Sequence, residues 1–195
     1  RLGLVGSEMC IRDRNYMKIA GVDEVGVGCL AGPVISSAII FNSSALDVVF
    51  KDSKKTTAKQ RAHFVNYMKR NCFIAIGVAS PKEVDDLNVL KATHLAMKRA
   101  IYNLPCQPEK ILIDGIYVPE GLDNAEAIVK GDQHSQQIAA ASIFAKHFRD
   151  TLMSALSLKY PHYHLEKNKG YPTKQHKEAI NQFGLSNIHR KSFKI

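Results

Sequence analysis

Asp23 and Glu24 are adjacent carboxylates inside an otherwise apolar segment, Ile19-Ala20-Gly21-Val22-Asp23-Glu24-Val25. Burying charge there is costly unless it is paired or holds a metal. Neighbouring residues of a strand point to opposite faces. Both acids can therefore serve one site only near the strand's end, where Gly26 lets the chain turn. The competing reading is one surface acid and one salt-bridged acid. Asp114 closes the apolar run Ile111-Leu112-Ile113 and precedes Gly115. That is the profile of a carboxylate at the end of a buried strand, where α/β sites lie, although a turn-forming Asp-Gly accounts for it equally well. Asp132 follows Val129-Lys130-Gly131 and is either a further strand-end acid or the cap of the helix after it. Brought together, the four acids would repel one another strongly without cations. Oxygen-only ligation suits Mg²⁺ or Mn²⁺. Two such ions about 3.5–4 Å apart can clamp the attacking and leaving oxygens of a phosphodiester displacement.

Other residues could hold the substrate of such a reaction. The loop Gly26-Val27-Gly28-Cys29-Leu30-Ala31-Gly32 lets a backbone approach a ligand closely, or is a plain hairpin turn. Its spacing is not that of a dinucleotide fingerprint, and a strand follows it rather than a helix. Asp52-Ser53-Lys54-Lys55 offers a hydroxyl, Ser53, and two cations, Lys54 and Lys55, to a phosphate, or is a solvated loop. Lys169 and Tyr171 combine charge with a ring that can stack on a base or sugar. Arg190, beside His189, either reaches the substrate or dresses the surface. The histidines show no zinc spacing.

These residues need a scaffold. Residues 18–25 and 33–41 read as two strands joined by the glycine loop, an antiparallel hairpin. Residues 57–70 suit a helix with Phe64, Val65 and Met68 as its apolar stripe, and residues 72–79 a third strand. Ser80-Pro81-Lys82-Glu83 is a capping box with proline at the first helical position. A longer helix follows, with Leu90, Met97, Ile101 and Leu104 on one face, ended by Pro105 and Pro108. Residues 111–114 and 127–129 are short strands, and residues 136–159 an alanine-rich helix stopped before Pro161. Residues 161–173 form a basic, aromatic loop before a last short helix over 174–183. The expectation is an α/β domain with a mixed sheet and a helical C-terminal part.

Composition fits an anionic partner and a merely soluble basic protein equally well, and the placing of the charge adds to the first. Lys and Arg number 27 against 18 Asp and Glu, a net charge of +9 in 195 residues. From Lys146 onward the acids are only Asp150, Glu166 and Glu178. Nucleic acid is the obvious candidate. Cys10, Cys29, Cys72 and Cys106 form no CxxC motif, and the apolar runs are too short to span a bilayer. Free thiols in a reducing cytoplasm are the expectation. Residues 1–16 lack helical or strand period, and Ser7 to Arg14 resembles translated adaptor read-through. The expectation is a non-native extension over residues 1–16 and one catalytic domain over 17–195.

Several segments together resemble bacterial ribonuclease HII. They are Gly21-Val22-Asp23-Glu24-Val25-Gly26, Ala31-Gly32-Pro33-Val34, Asp52-Ser53-Lys54-Lys55 and Glu83-Val84-Asp85-Asp86-Leu87-Asn88. Ile113-Asp114-Gly115, Val129-Lys130-Gly131-Asp132, Ala140-Ala141-Ser142-Ile143 through Arg149-Asp150, Lys169-Gly170-Tyr171 and His189-Arg190-Lys191-Ser192-Phe193 follow in family order. The resemblance implies a ribonuclease H-like fold, a mixed five-stranded sheet flanked by helices. It implies that Asp23, Glu24, Asp114 and Asp132 are the acidic, metal-binding residues of an endonuclease. That enzyme cuts the RNA strand of RNA–DNA hybrids and at single ribonucleotides in duplex DNA. A metal-activated water leaves a 3′-hydroxyl and a 5′-phosphate. It further implies that the backbone of Gly26, Val27 and Gly28 reads the 2′-hydroxyl and that Tyr171 packs on the sugar. A monomer with no obligate protein partner is expected. The chain departs from the family at Val27, where arginine is usual, at Asn168, where histidine is usual, and at Ile116, where asparagine is common. The alternative to catalysis is a nucleic-acid-binding module of the same fold, weakened by Val27.

Overall fold

The computed structural model describes residues 17–43, 47–50 and 56–195. Ser53, Lys54 and the expected extension over residues 1–16 lie outside the described residues. Strands β1 (Ile19–Val25), β2 (Val34–Phe41), β3 (Cys72–Ala79), β4 (Lys110–Asp114) and β5 (Ala125–Ile128) form one sheet in the order β3-β2-β1-β4-β5. β2 pairs antiparallel with β1, from Ala20 opposite Ile40 to Val25 opposite Ile35, and β3 runs antiparallel to β2. On the other side β4 runs parallel to β1, and β5 parallel to β4. The C-terminal ends of β1, β4 and β5 therefore share one edge of the sheet. The expected hairpin and mixed sheet are both present.

Alternation along the strands divides the core into two layers. Ala20, Val22, Ala38 and Ile40 pack with Met97, Ala100 and Ile101 of α3 (Val89–Tyr102). Ile39 and Phe41 pack on the opposite face with Ala139, Ala140, Ala141 and Ile143 of α5 (Gln136–Lys159) and Met68 of α1 (Ala58–Asn71). The alanines let α5 lie close against β1. A Cβ on Gly21 would stand 2.1 Å from the carbonyl carbon of Gln137, so only glycine fits there. Asp23 lies two residues further along β1 and so faces α5 as well.

The remaining helices are α2 (Pro81–Leu87), α4 (Gly131–His134), α6 (Leu165–Asn168) and α7 (Lys174–Phe183). The capping box at Ser80 and Glu83 is formed. Three details differ from expectation. Leu90 is half exposed, because Asn88, at φ 71°, starts α3 in a new direction after α2. β5 ends one residue before Val129, which faces solvent. The segment after Pro161 is not only loop: it holds a 3₁₀ turn and α6. This C-terminal part has its own small core, with Leu30 and Ala31 of the glycine loop buried against Met153, Tyr163, Leu165 and Ile180.

Candidate active site

The shared edge of β1, β4 and β5 opens into a cleft of about 500 Å³ whose lining includes Asp23, Glu24, Asp114 and Asp132. Each acid arrives by a different local device. Asp23 is buried at the end of β1, with its backbone carbonyl accepting from Ser36 Oγ at 2.8 Å and its Oδ1 accepting from the Glu24 N–H at 2.7 Å. Glu24 follows where β1 gives way to Gly26, at φ 94°, so the turn carries the second acid to the same cleft. Asp114 ends β4, and its Oδ1 accepts from the Gly131 N–H at 2.7 Å. Lys130 adopts the left-handed conformation (φ 53°, ψ 42°) that aims this N–H. Asp132 stands in the first turn of α4 and does not cap the long helix. That cap is Ser135, whose side chain accepts from the Ile138 N–H at 3.3 Å.

The cleft carries an excess of negative charge. Burial first, then the neighbouring charges of Glu24 and Asp114, hold the Asp23 carboxyl well above the usual carboxylate range, while a hydrogen bond from Ser142 opposes them. Such a site favours a cation. Among the described residues no three acid, imidazole or thiol side chains draw close enough to enclose one ion. The acids are spread around an open cleft instead. This arrangement fits a hard divalent cation, which takes oxygen ligands and retains several waters.

The candidate contact residues divide. Gly26, Val27, Gly28 and Tyr171 line the cleft. Lys169 does not: its ammonium is held by Ser154 Oγ and the Glu166 carbonyl. Arg190 is also turned inward and fully buried, donating to carbonyls of the glycine loop. Neither direction is visible in a residue type. Asn168 is buried, donating to the Tyr163 carbonyl at 2.7 Å and accepting from the Gly170 N–H at 2.8 Å. It braces the turn that presents Tyr171. Ile116 is exposed just beyond β4. Five lining residues were not among the sequence candidates: Val25, Lys130, Gln133, Ser142 and Lys146. Lys146 lies one helical turn from Ser142, a spacing that would have flagged a shared face once α5 was known to cover β1. Its ammonium pairs with Asp150 at 2.9 Å and lies 5.4 Å from the centre of the Tyr171 ring.

The sequence profile of ribonuclease HII matches residues 20–195. The chain belongs to the ribonuclease HII family. The ribonuclease HII of Ruegeria pomeroyi is 46% identical over 188 residues, covering 96% of this chain and 80% of its own length. That of Pelagibacter ubique is 48% identical over 180 residues, covering 91% of this chain and 96% of its own. Among solved structures, the ribonuclease H2 of Pyrococcus horikoshii superposes with a TM-score of 0.76 at 26% identity, over 91% of this chain and 94% of that one. The ribonuclease HII of Archaeoglobus fulgidus, solved with PCNA, gives 0.77 at 23% identity over 92% and 96%. The five-stranded mixed sheet with flanking helices is thus the ribonuclease H-like fold, and membership of the ribonuclease HII family makes the chain a ribonuclease H. Among the described residues no helix is long and apolar enough to cross a membrane.

Proposed function

We propose that this chain is an endonuclease acting on the RNA strand of RNA–DNA hybrids and on single ribonucleotides within duplex DNA. It leaves a 3′-hydroxyl and a 5′-phosphate. The observation that carries this reading is the sharing of one cleft by Asp23, Glu24, Asp114, Asp132 and the glycine loop. The four carboxylates are the proposed ligands of two Mg²⁺ or Mn²⁺ ions, which would lower the pKa of water and neutralise charge on the phosphodiester. The protein's own groups do the rest. Asp23 is held rigidly by its bonds to Ser36 and the Glu24 N–H, so it meets a ligand with little reorganisation. Asp114 is oriented by Gly131 in the same way. The backbone of Gly26, Val27 and Gly28 meets the ribose, where a 2′-hydroxyl distinguishes RNA from DNA. Tyr171, on the cleft wall, packs on the adjoining sugar, with Lys146 beside its ring. The basic C-terminal quarter draws in the polyanion.

The test is a panel of substrates with Mg²⁺ or Mn²⁺: duplex DNA carrying one ribonucleotide, an RNA–DNA hybrid, all-DNA and all-RNA. Cutting is expected only where RNA pairs with DNA. Asp114→Asn should reduce it at least about a thousandfold, the scale of losing transition-state charge stabilisation, while hybrid binding persists. Binding by the unaltered chain without cleavage under either metal would instead identify a non-catalytic module weakened at Val27.

A further inference from the structure

The glycine loop rests on two guanidinium groups that the proposed chemistry does not use. Arg149, on α5, is fully buried and donates to the carbonyls of Pro33 at 3.0 Å, Ala31 at 3.0 Å and Lys169 at 2.8 Å. Arg190, from the C-terminal segment, is equally buried and donates to Gly26 at 2.6 Å, Val27 at 2.7 Å and Gly32 at 2.9 and 3.1 Å. A buried cation ordinarily needs an acid beside it; here main-chain oxygens take the hydrogen bonds, and the charge of Asp85 adds to them at Arg190. Burial pushes the Arg190 guanidinium down to about 10, so it remains charged at neutral pH.

The loop's amide hydrogens divide by partner, that of Cys29 staying within the loop on the Gly26 carbonyl at 3.4 Å. Those of Leu30 and Ala31 go to the Gly170 carbonyl, and that of Gly32 to Ile188. Those of Gly26, Val27 and Gly28 reach no backbone acceptor among the described residues, and these three residues form a wall of the cleft. In a planar trans peptide the C=O of one residue and the N–H of the next point in opposite directions. Pinning the Gly26 and Val27 oxygens onto Arg190 therefore turns the Val27 and Gly28 N–H groups away from the interior. A carbonyl facing a guanidinium is also polarised, which strengthens the N–H of the same peptide as a donor.

We propose that Arg149 and Arg190 are positioning residues for RNA recognition: Arg190 aims the Val27 and Gly28 N–H donors at the ribose, Arg149 fixes the Ala31–Pro33 end of the same loop, and together they set the preference for RNA over DNA. The assignment rests on the reading of the loop as the sensor of the 2′-hydroxyl. It also accounts for how a loop without a cation of its own, Gly26 to Gly32, keeps positive charge beneath it.

The experiment compares the full chain with Arg149→Lys and Arg190→Lys. Lysine keeps the charge but lacks the planar fork that serves several carbonyls at once. Binding of a matched RNA–DNA hybrid and DNA duplex is measured without divalent cation, and cleavage with Mg²⁺. For variants that fold by circular dichroism, hybrid binding should weaken about tenfold, the scale of one lost hydrogen bond. DNA binding and the salt slope should stay as they were, and KM should rise more than kcat falls. A purely structural role would weaken both duplexes alike. A folded variant that keeps the parental preference overturns the arginine assignment. A parent with no preference overturns the reading of the loop itself, whatever the variants do. If neither variant folds, the arginine Nε–H resonances of the unaltered chain decide: they should shift with hybrid and not with DNA, and unmoved signals overturn the proposal.

Discussion

Asp23 sits in an environment that disfavours its ionised form. Burial, then Glu24 and Asp114, raise its carboxyl pKa well above the usual range. The sign of the consequence follows. An acid whose pKa is higher folded than unfolded contributes stability at low pH, and that contribution disappears as pH rises through the folded value. Metal-free protein should thus melt at a higher temperature near pH 5 than near pH 8 on account of this group. Asp23→Asn should flatten the slope and stabilise the metal-free protein at pH 8 while abolishing cleavage; thermal melts across pH check the first part. Val27 is the second informative residue. It lies on the cleft wall, and we propose that a cation at this position meets phosphate. Val27→Arg should tighten hybrid binding and steepen the dependence of log K on log salt by about one. An unchanged slope in a salt titration would remove phosphate contact from that position.

At the scale of elements, the site depends on how closely α5 approaches β1. That approach exists because Gly21 has no side chain and Ala139, Ala140 and Ala141 have small ones. Gly21→Ala forces a methyl group into the Gln137 backbone and should cost about 2–3 kcal/mol. Chemical denaturation measures this, and kcat should fall as well, because Ser142 and Lys146 move with the helix. Ser135 starts α5 and Lys130 precedes α4 in a strained conformation, so the few residues after β5 both begin the helix and deliver Asp132. The two arginines join elements in the same manner, tying α5 and the C-terminal segment to the loop between β1 and β2.

For the whole molecule, the C-terminal part is fastened through buried imidazoles. Ser186 N–H donates to His189 Nδ1 at 3.0 Å, and His189 Nε2 lies 3.1 Å from His176 Nε2. His176 Nδ1 in turn meets the Tyr171 carbonyl at 2.9 Å. Burial, then the charge of His176, lowers His189 to about 4. A histidine with a depressed folded pKa adds stability above its unfolded value near 6.5, and loses it as pH falls toward the folded one. Acid should therefore loosen this part between about pH 6.5 and pH 4, by on the order of 2–3 kcal/mol. In His189→Gln that pH slope should largely vanish, as followed by melting temperature. Residues 1–16 precede the described fold, and we expect their removal to leave cleavage of a ribonucleotide-containing duplex intact; loss of activity or solubility would make them part of the functional unit.

The sequence alone determined where charge meets apolar strand. Asp23, Glu24 and Asp114 stand out because a carboxylate at the end of a buried run needs a reason to be there. It also marked α5, through length and alanine content, and the α2 start, through its capping box, because these signals are local. Only the tertiary structure decided which way long polar side chains turn. Lys169 and Arg190 have the composition of ligand contacts, yet carbonyls and hydroxyls of the protein take them. Ser142 and Lys146 look like helix surface until α5 is laid across β1. Direction and partnership depend on segments far apart in the chain, and parallel pairing of β1 with β4 and of β4 with β5 is what brings distant acids to one edge.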